Sequence, residues 1–129
     1  MTAHAHPVGD FRPVTHRPGM RTRHLIATEH GFTTLFVVEL LMDDGASVPL
    51  HSHSVDEAVV VTEGELTIQV GDETIVAEAE SVVRIPPDVP HAIRNQGPEQ
   101  ARALAAAAWN RATFFEEATR YLEGKPRVD

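Results

Sequence analysis

The chain has 129 residues, of which 42% are hydrophobic and 23% charged, a balance typical of one soluble globular domain. It has no cysteine, which excludes disulfides, thiolate nucleophiles and metal sites built on sulfur. A net charge of −8 argues against nucleic acid as a partner, and no apolar run approaches the length of a membrane span. Because the stretch from Met1 to Asp10 lacks the layout of a secretory signal, we expect a cytoplasmic protein.

Residues 1–30 are predicted to form an irregular N-terminal arm. Prolines and glycines interrupt every periodic pattern in this stretch, and its arginines give it local positive charge. A solvated tail is the favoured interpretation for residues 1–10, whereas residues 15–28 can instead hold a short strand or two laid along the domain. Such an arm can also cross to a second subunit, because another chain readily completes an unpaired strand edge.

From residue 33 onwards the pattern changes to short β runs separated by turn residues. Residues 34–41 are rich in Phe, Val and Leu and end at the turn Asp43-Asp44-Gly45. Residues 66–70 alternate apolar and polar side chains, the period of a half-buried strand, and Gly71-Asp72 then makes a two-residue hairpin loop. Several such runs at roughly even spacing predict an antiparallel sandwich or barrel.

Two segments near the end of the chain are predicted separately: the first is either a helix or a strand, and the second is a helix. Residues 102–109 are rich in alanine, which suits a helix, but their place after so many strands favours a last, closely packed strand. Residues 113–123 carry apolar side chains at helical spacing, with Thr113 as a candidate N-cap. We therefore expect a short C-terminal helix, anchored by Trp109 and Tyr121.

The residues that carry chemistry surround the middle of the chain. His51 and His53 lie two positions apart, so on an extended strand both imidazoles point to one face and can converge on a single ion. Glu57 follows beyond a predicted bend and can add a carboxylate oxygen. His91 comes directly after the turn Pro86-Pro87-Asp88-Val89-Pro90, which would fix its direction. This ligand set suits one divalent transition metal (Mn, Fe, Co, Ni, Cu or Zn) and leaves positions open on a six-coordinate ion.

The same segments resemble the two motifs of the cupin family. The first motif, G-x5-H-x-H-x3-E-x6-G, is matched at every position by Gly45, His51, His53, Glu57 and Gly64. The second, G-x5-P-x-G-x2-H-x3-N, is matched by Pro86, His91 and Asn95, and departs at Glu80 and Asp88, where the family has glycine. Asp tolerates a left-handed backbone and can keep its turn, whereas Glu80 leaves the geometry of one hairpin open.

The resemblance covers roughly residues 34–109 and implies an all-β fold, a single jelly-roll barrel. In that family the residues matching His51, His53, Glu57 and His91 hold the metal inside the barrel. The chain would then divide into the arm of residues 1–30, partly strand and open to exchange between dimer subunits, the barrel of residues 31–110, and a C-terminal helix and tail over residues 111–129. Small cupins pair through sheet edges and terminal segments, so the resemblance also implies a homodimer.

Other polar residues carry weaker interpretations. Arg84 lies between Val83 and Ile85, and if it points inward it can bind a carboxylate or phosphate of a substrate. An outward Arg84, paired with an acid, is the commoner case. Asp56 is expected to face outward and is a weak rival to Glu57 as ligand. The remaining histidines are all interpreted as surface residues: His4, His6, His16, His24 and His30. For His16, His24 and His30, a place near the mouth of the barrel is the lesser alternative.

Two function classes stay open. The first is a small-molecule metalloenzyme of dioxygenase, isomerase or lyase type, which would use the open coordination positions. The second is a non-catalytic cupin that binds or senses a small ligand; the lack of a DNA-binding domain in this sequence favours the enzyme. Ser52 and Ser54 have no base partner in sequence, and the site's own His and Glu residues serve as ligands. A general base would therefore be a metal-bound hydroxide or a residue that the sequence does not identify.

Overall fold

The computed structural model describes residues 3–109, 113–114 and 118–121. Almost all regular structure in these residues is β-strand, apart from a short 3-10 turn at Thr28–His30 and helical backbone at Thr113, Phe114 and Ala118. The strands are β1 (Arg12–Pro13), β2 (Met20–Ile26), β3 (Phe36–Met42), β4 (Ser47–His53), β5 (Glu57–Glu63), β6 (Glu65–Val70), β7 (Glu73–Glu78), β8 (Ser81–Ile85), β9 (His91–Arg94), β10 (Ala101–Ala107) and β11 (Thr119–Tyr121).

The strands form two antiparallel sheets that face each other. One sheet has six strands in the order β1-β2-β3-β10-β5-β8, and the other has five in the order β11-β4-β9-β6-β7. The main core lies between their inner faces and contains, among others, Leu40, Val59, Leu66, Ile68 and Ile93. This arrangement confirms the predicted all-β barrel.

Side-chain alternation and strand position explain the elements that carry this core. In β6, Leu66 and Ile68 are fully buried while the residues that alternate with them, Glu65, Thr67 and Gln69, face outward, as the period of two predicts. The alanine-rich segment 102–109 is a strand up to Ala107, in agreement with the favoured alternative. Because β10 lies between β3 and β5 in the middle of its sheet, tertiary context overrides the low strand propensity of alanine.

Both departures from the second motif keep the backbone that glycine would give. Glu80 and Asp88 have φ angles of 68° and 63°, in the left-handed region. The Glu80 N–H donates to the carbonyl of Val61 over 2.7 Å, and the Asp88 N–H donates to the carbonyl of His53 over 2.7 Å. Each turn is therefore held by a hydrogen bond to a strand, which offsets the backbone strain of a non-glycine residue.

Asn95, the last residue of the second motif, joins three segments of the chain. Its buried side-chain amide donates to the carbonyl of Met42 over 2.9 Å and to that of Glu99 over 2.8 Å, and its Oδ1 accepts from the Gly97 N–H over 2.8 Å. Its backbone carbonyl also accepts from the Gly45 N–H over 2.8 Å. Asn95 thus ties the turn after β3 to the connection between β9 and β10, a structural role rather than a chemical one.

Part of the N-terminal arm belongs to the six-stranded sheet. Within this one chain β2 pairs with β3, from Met20 opposite Met42 to Ile26 opposite Val37, with a register shift after His24. On the outer face of β2, Arg23 donates to Glu39 over 2.6 Å, and the ring of Phe11 lies against the Arg23 guanidinium. The arm thereby covers the buried carboxylate of Glu39.

The C-terminal helix predicted over residues 113–123 is wrong at residues 119–121, which form β11. This strand pairs with β4, placing Thr119 opposite His53 and Tyr121 opposite His51. Without β11, β4 would present unpaired backbone N–H and C=O groups along the sheet edge. Pairing these groups outweighs the helical spacing of the apolar side chains in this segment. Residues 115–117 and 122–129 of the predicted helix and tail lie outside the described residues. In the described part of the chain, no helix has the length and hydropathy required to cross a bilayer.

Two motif glycines make different demands and provide a matched test of stability. Gly64 has a φ of 72°, and a Cβ there would lie 2.8 Å from the carbonyl oxygen of Gln100; Gly45 has a φ of 86° with open space at that point. Gly45→Ala should lower the free energy of unfolding by about 1–2 kcal/mol through the left-handed backbone alone. Gly64→Ala should lower the free energy of unfolding by about 1–3 kcal/mol more than Gly45→Ala does, because its Cβ clashes with the backbone of Gln100. Urea denaturation measures both losses. Equal losses in the two variants would show that the close approach of Gly64 to β10 is not a constraint.

Candidate metal centre

Three strands deliver the ligand candidates to one place between the sheets. His51 and His53 lie on the inner face of β4, His91 begins β9 directly opposite His51, and Glu57 begins β5 in the facing sheet. All four side chains are buried, with 5%, 4%, 0% and 8% of His51, His53, His91 and Glu57 exposed. The strand spacing read from the sequence therefore brings these residues together in the interior.

The three imidazoles form a compact cluster. One ring nitrogen of each of His51, His53 and His91 lies within 4.8 Å of the others, a separation at which a single ion can contact all three. Glu57 adjoins this cluster: its Oε2 lies 3.2 Å from Nε2 of His53 and its Oε1 lies 3.4 Å from Nε2 of His91. Three neutral nitrogens and a carboxylate are ligands for first-row transition metals.

Hydrogen bonds fix which nitrogen of each ring faces the cluster. Nδ1 of His51 lies 2.8 Å from the carbonyl oxygen of Pro49, and Nδ1 of His91 lies 3.0 Å from that of Val89. A carbonyl can only accept, so both Nδ1 atoms carry the proton and both Nε2 atoms present their lone pairs. This is the tautomer that metal-binding histidines adopt when an outer oxygen orients the ring.

Thr119 on β11 plays the same part for His53. Its Oγ1 lies 2.8 Å from Nδ1 of His53, and its own hydroxyl proton is donated to the carbonyl of Phe114 over 2.9 Å. The hydroxyl therefore accepts from His53, which leaves Nε2 of His53 toward the cluster. Sequence reasoning missed Thr119, because it comes from a segment that was predicted to be a helix.

Burial and mutual contact set the charge of the cluster. Burial, helped by neighbouring His91 and His53, lowers the pKa of His51 to about 3, so this imidazole is neutral at neutral pH. Burial alone would raise the pKa of Glu57, but the adjoining His53 and His91 rings outweigh it and hold that pKa below its usual range. The site thus combines a neutral imidazole with an ionised carboxylate, as cation binding requires.

One observation that does not depend on the motif indicates that these residues fit a divalent cation. Nε2 of His91 is fully buried and has no hydrogen-bond partner among the described residues. A buried ring nitrogen left in this state is costly, and a metal ion at the centre of the cluster would satisfy it. The three histidines would hold such an ion, with Glu57 as the adjoining carboxylate.

An apolar cavity opens from this cluster between the sheets. Its lining contains Val14, Met20, Thr22, His24, Phe36, Val38, Leu40, Val48, His51, His53, Glu57, Ile93, Ala105, Ala106, Ala107, Phe114 and Tyr121. Tyr121, predicted only to anchor a helix, instead lies in this wall and stacks on His51 with 5.4 Å between ring centroids. Phe114 packs on His53 with a centroid distance of 4.7 Å. Aromatic faces therefore flank the cluster on the cavity side.

The structure places Arg84 away from this cavity. Strand alternation directs Val83 and Ile85 into the core, and the side chain of Arg84 is 70% exposed, 3.6 Å from the carboxylate of Asp56. The interpretation of Arg84 as a substrate contact is therefore not retained, and its outward alternative describes its position. Asp56 likewise faces solvent and is no rival to Glu57. Of the arm histidines, His24 lines the cavity, which agrees with the lesser alternative given for it rather than with a surface position.

Comparisons with known proteins agree with this fold. A family model for the cupin domain matches residues 38–107. The polyketide synthase CurC of Streptomyces cyaneus is 32% identical over 98 residues, which cover 75% of this chain and only 64% of that relative's length. The polyketide cyclase RemF of Streptomyces resistomycificus superposes with a TM-score of 0.77 and 21% identity, covering 97% of this chain and 88% of the other. A cupin-like protein of Thermotoga maritima gives a TM-score of 0.72 and 20% identity, covering 95% and 100%.

The hydrogen bond to Thr119 generates a prediction for metal affinity. Thr119→Val keeps the side-chain shape but removes the oxygen that orients His53, and should weaken Zn²⁺ binding roughly 10–100-fold in competition with a chromophoric chelator. Thr119→Ser, which keeps the hydroxyl, is the matched control and should bind like the wild type. Wild-type affinity in the valine variant would contradict the assigned role.

Proposed function

The chain belongs to the cupin family, and from this premise we propose that it is a metal-dependent enzyme that closes rings in a small, polyketide-like molecule with several carbonyl groups. One observation carries the proposal: three imidazole nitrogens converge at one end of a cavity whose other walls are almost entirely apolar. A site that only stored a cation would not require an apolar cavity beside it. A mostly apolar cavity with a few converging polar groups is the usual form of a small-molecule site.

In this proposal His51, His53 and His91 hold one divalent transition metal, and Glu57 is the fourth protein ligand. The bound cation would act as a Lewis acid on substrate carbonyl oxygens at its remaining coordination positions. Phe114 and Tyr121 pack against the ligand rings, so aromatic side chains line the cavity beside the metal ligands. The apolar wall excludes water, which would otherwise compete for the carbonyl oxygens.

The substrate class draws on the relatives as well as on the cavity. The two Streptomyces proteins are named as a polyketide synthase and a polyketide cyclase, and the second has the same fold over nearly the whole chain. Ring closure within one molecule needs no oxidant: addition of one carbon to a carbonyl is an isomerisation, and the loss of water that follows is a lyase step. The proposal therefore takes the isomerase or lyase type among the metalloenzyme classes, and dioxygenase chemistry is not part of it.

The first test measures metal content and ring closure on the same untagged protein. Elemental analysis should find about one transition-metal equivalent per chain in the wild type and almost none in the His51→Ala/His53→Ala variant. The metal-loaded wild type should accelerate the closure of acetonylacetone, a linear diketone that forms a methylcyclopentenone with loss of water, as followed by NMR. The double variant should not accelerate this reaction.

The matched control for this test is Arg84→Gln, on the outer face of β8. It should keep both the metal and the activity. Absence of metal from the wild type after reloading would overturn the metal centre. Metal without any acceleration, combined with tight binding of the diketone, would favour the alternative of a non-catalytic ligand-binding cupin.

We also propose that the protein is a homodimer formed through the outer face of its six-stranded sheet. On that face Leu104, Val60 and Val82 follow one another across β10, β5 and β8, and Val82 is 65% exposed. An apolar row that ends on an edge strand is a surface that a second copy can bury. Light scattering should give twice the chain mass for the wild type, and Val82→Lys should shift it towards the monomer. A monomeric wild type would contradict the assignment.

A further inference from the structure

A strand in the middle of the six-stranded sheet, β10, carries alanine at every inward position. These positions alternate along the strand and are Ala101, Ala103, Ala105 and Ala107. Alanine is a poor strand former, whereas β-branched and aromatic residues pack well on a pleated surface. Four alanines on one face of a strand in this place therefore serve a purpose other than strand formation.

Larger side chains flank this row of alanines on both neighbouring strands. The register gives each of three alanines one neighbour on β3 and one on β5: Leu40 and Val61 beside Ala103, Val38 and Val59 beside Ala105, and Phe36 and Glu57 beside Ala107. The two flanking strands are two strand spacings apart, about 10 Å. The alanines thus form a trough, one strand wide, along the inner face of the sheet.

The alanine trough is filled at one end and open at the other. Ala101 and Ala103 are 0% exposed and belong to the main core. Ala105 and Ala107 are only half-buried, and both line the apolar cavity that His51 and His53 of the facing sheet also line. The packing therefore changes between Ala103 and Ala105, two positions apart on one face of one strand.

We propose that Ala105 and Ala107 are specificity-determining residues, which set the size of the substrate group that lies beside the metal centre; this inference rests on the proposed function. The side-chain atoms that alanine lacks at these positions leave the space next to Glu57 that the group occupies. Protein interiors are close-packed, and filling a cavity commonly stabilises a protein. Alanine at both positions thus sacrifices stability to keep this space open.

The walls of the open end of the trough indicate which kind of group fits there. Val38 and Val59 lie on either side of Ala105, so a hydrocarbon group meets apolar side chains in both directions. Ala107 lies directly opposite Glu57, so the same group adjoins the carboxylate of the metal cluster. The width of one strand suits an unbranched chain or a single ring. We therefore assign the trough to an apolar group of this width, attached next to the carbonyl that binds the metal.

The first experiment measures stability and needs neither metal nor substrate. Ala105→Val should raise the urea midpoint of the full-length, metal-free protein, because the added methyl groups enter open space and valine favours a strand. Ala103→Val is the matched control, with the same substitution on the same face of the same strand. It should lower the midpoint, because Ala103 is packed on all sides and a larger side chain strains the core. A lower midpoint in Ala105→Val would show that the space does not exist and would overturn the proposal.

The second experiment compares two diketones that close by forming the same carbon–carbon bond with loss of water: acetonylacetone and 1-phenyl-1,4-pentanedione. The metal-loaded wild type should close both. Ala105→Val should lower kcat/KM for the phenyl compound by roughly 10–200-fold, the usual effect of one or two carbon atoms in an apolar pocket, and for acetonylacetone by less. Metal content should be unchanged. Ala103→Val, outside the cavity lining, should keep the wild-type ratio of the two rates.

A swap between neighbouring strands separates volume from position. The double variant Val38→Ala/Ala105→Val keeps the total side-chain volume and should recover most of the lost rate with the phenyl compound. An unchanged ratio in Ala105→Val, with the metal bound, would overturn the size assignment and leave the metal enzyme standing. Failure of the proposed function would look different, because then the wild type would close neither diketone. In that case NMR titration of the wild type and Ala105→Val with both diketones decides the size assignment: weaker binding of the phenyl compound to the variant supports it, and equal binding overturns it.

Discussion

The site depends on the burial of three imidazoles and a carboxylate inside a small apolar barrel. Each of these groups loses its hydration, and the barrel compensates through fixed acceptors: carbonyls of Pro49 and Val89 and the hydroxyl of Thr119. Because every acceptor meets an Nδ1 atom, the rings have one orientation and one tautomer. Preorganisation of this kind suits the cluster to hold a metal ion.

The parts of the architecture that follow from local rules were predictable from sequence. Alternation along β6 and the turns at Gly45 and Gly71 specify strands and hairpins without knowledge of the rest of the chain. The spacing of His51 and His53 places both rings on one face for the same reason, and the proline-rich turn before His91 limits its direction. Strand periodicity therefore accounts for the barrel and for the proximity of the histidines.

The features that depend on long-range pairing were not predictable. Residues 119–121 have helical spacing, yet pairing with β4 makes them a strand, and only that pairing brings Thr119 and Tyr121 to the histidines. His24 stood in an arm interrupted by prolines, and its inward direction follows from the register of β2 on β3. The outward direction of Arg84 required only the alternation of its own strand, since Val83 and Ile85 on either side are buried.

The position of β11 in the chain has a consequence for biosynthesis. Thr119 lies 66 residues after the histidine that it orients, whereas His51, His53, Glu57 and His91 all belong to segments made earlier. Since a ribosome delivers the chain from its N-terminus, the barrel strands can pair before the orienting hydroxyl emerges. A nascent chain therefore presents three histidines that are close together, of which His53 still lacks its orienting hydroxyl. Translation order postpones the mature orientation of His53 until β11 has docked.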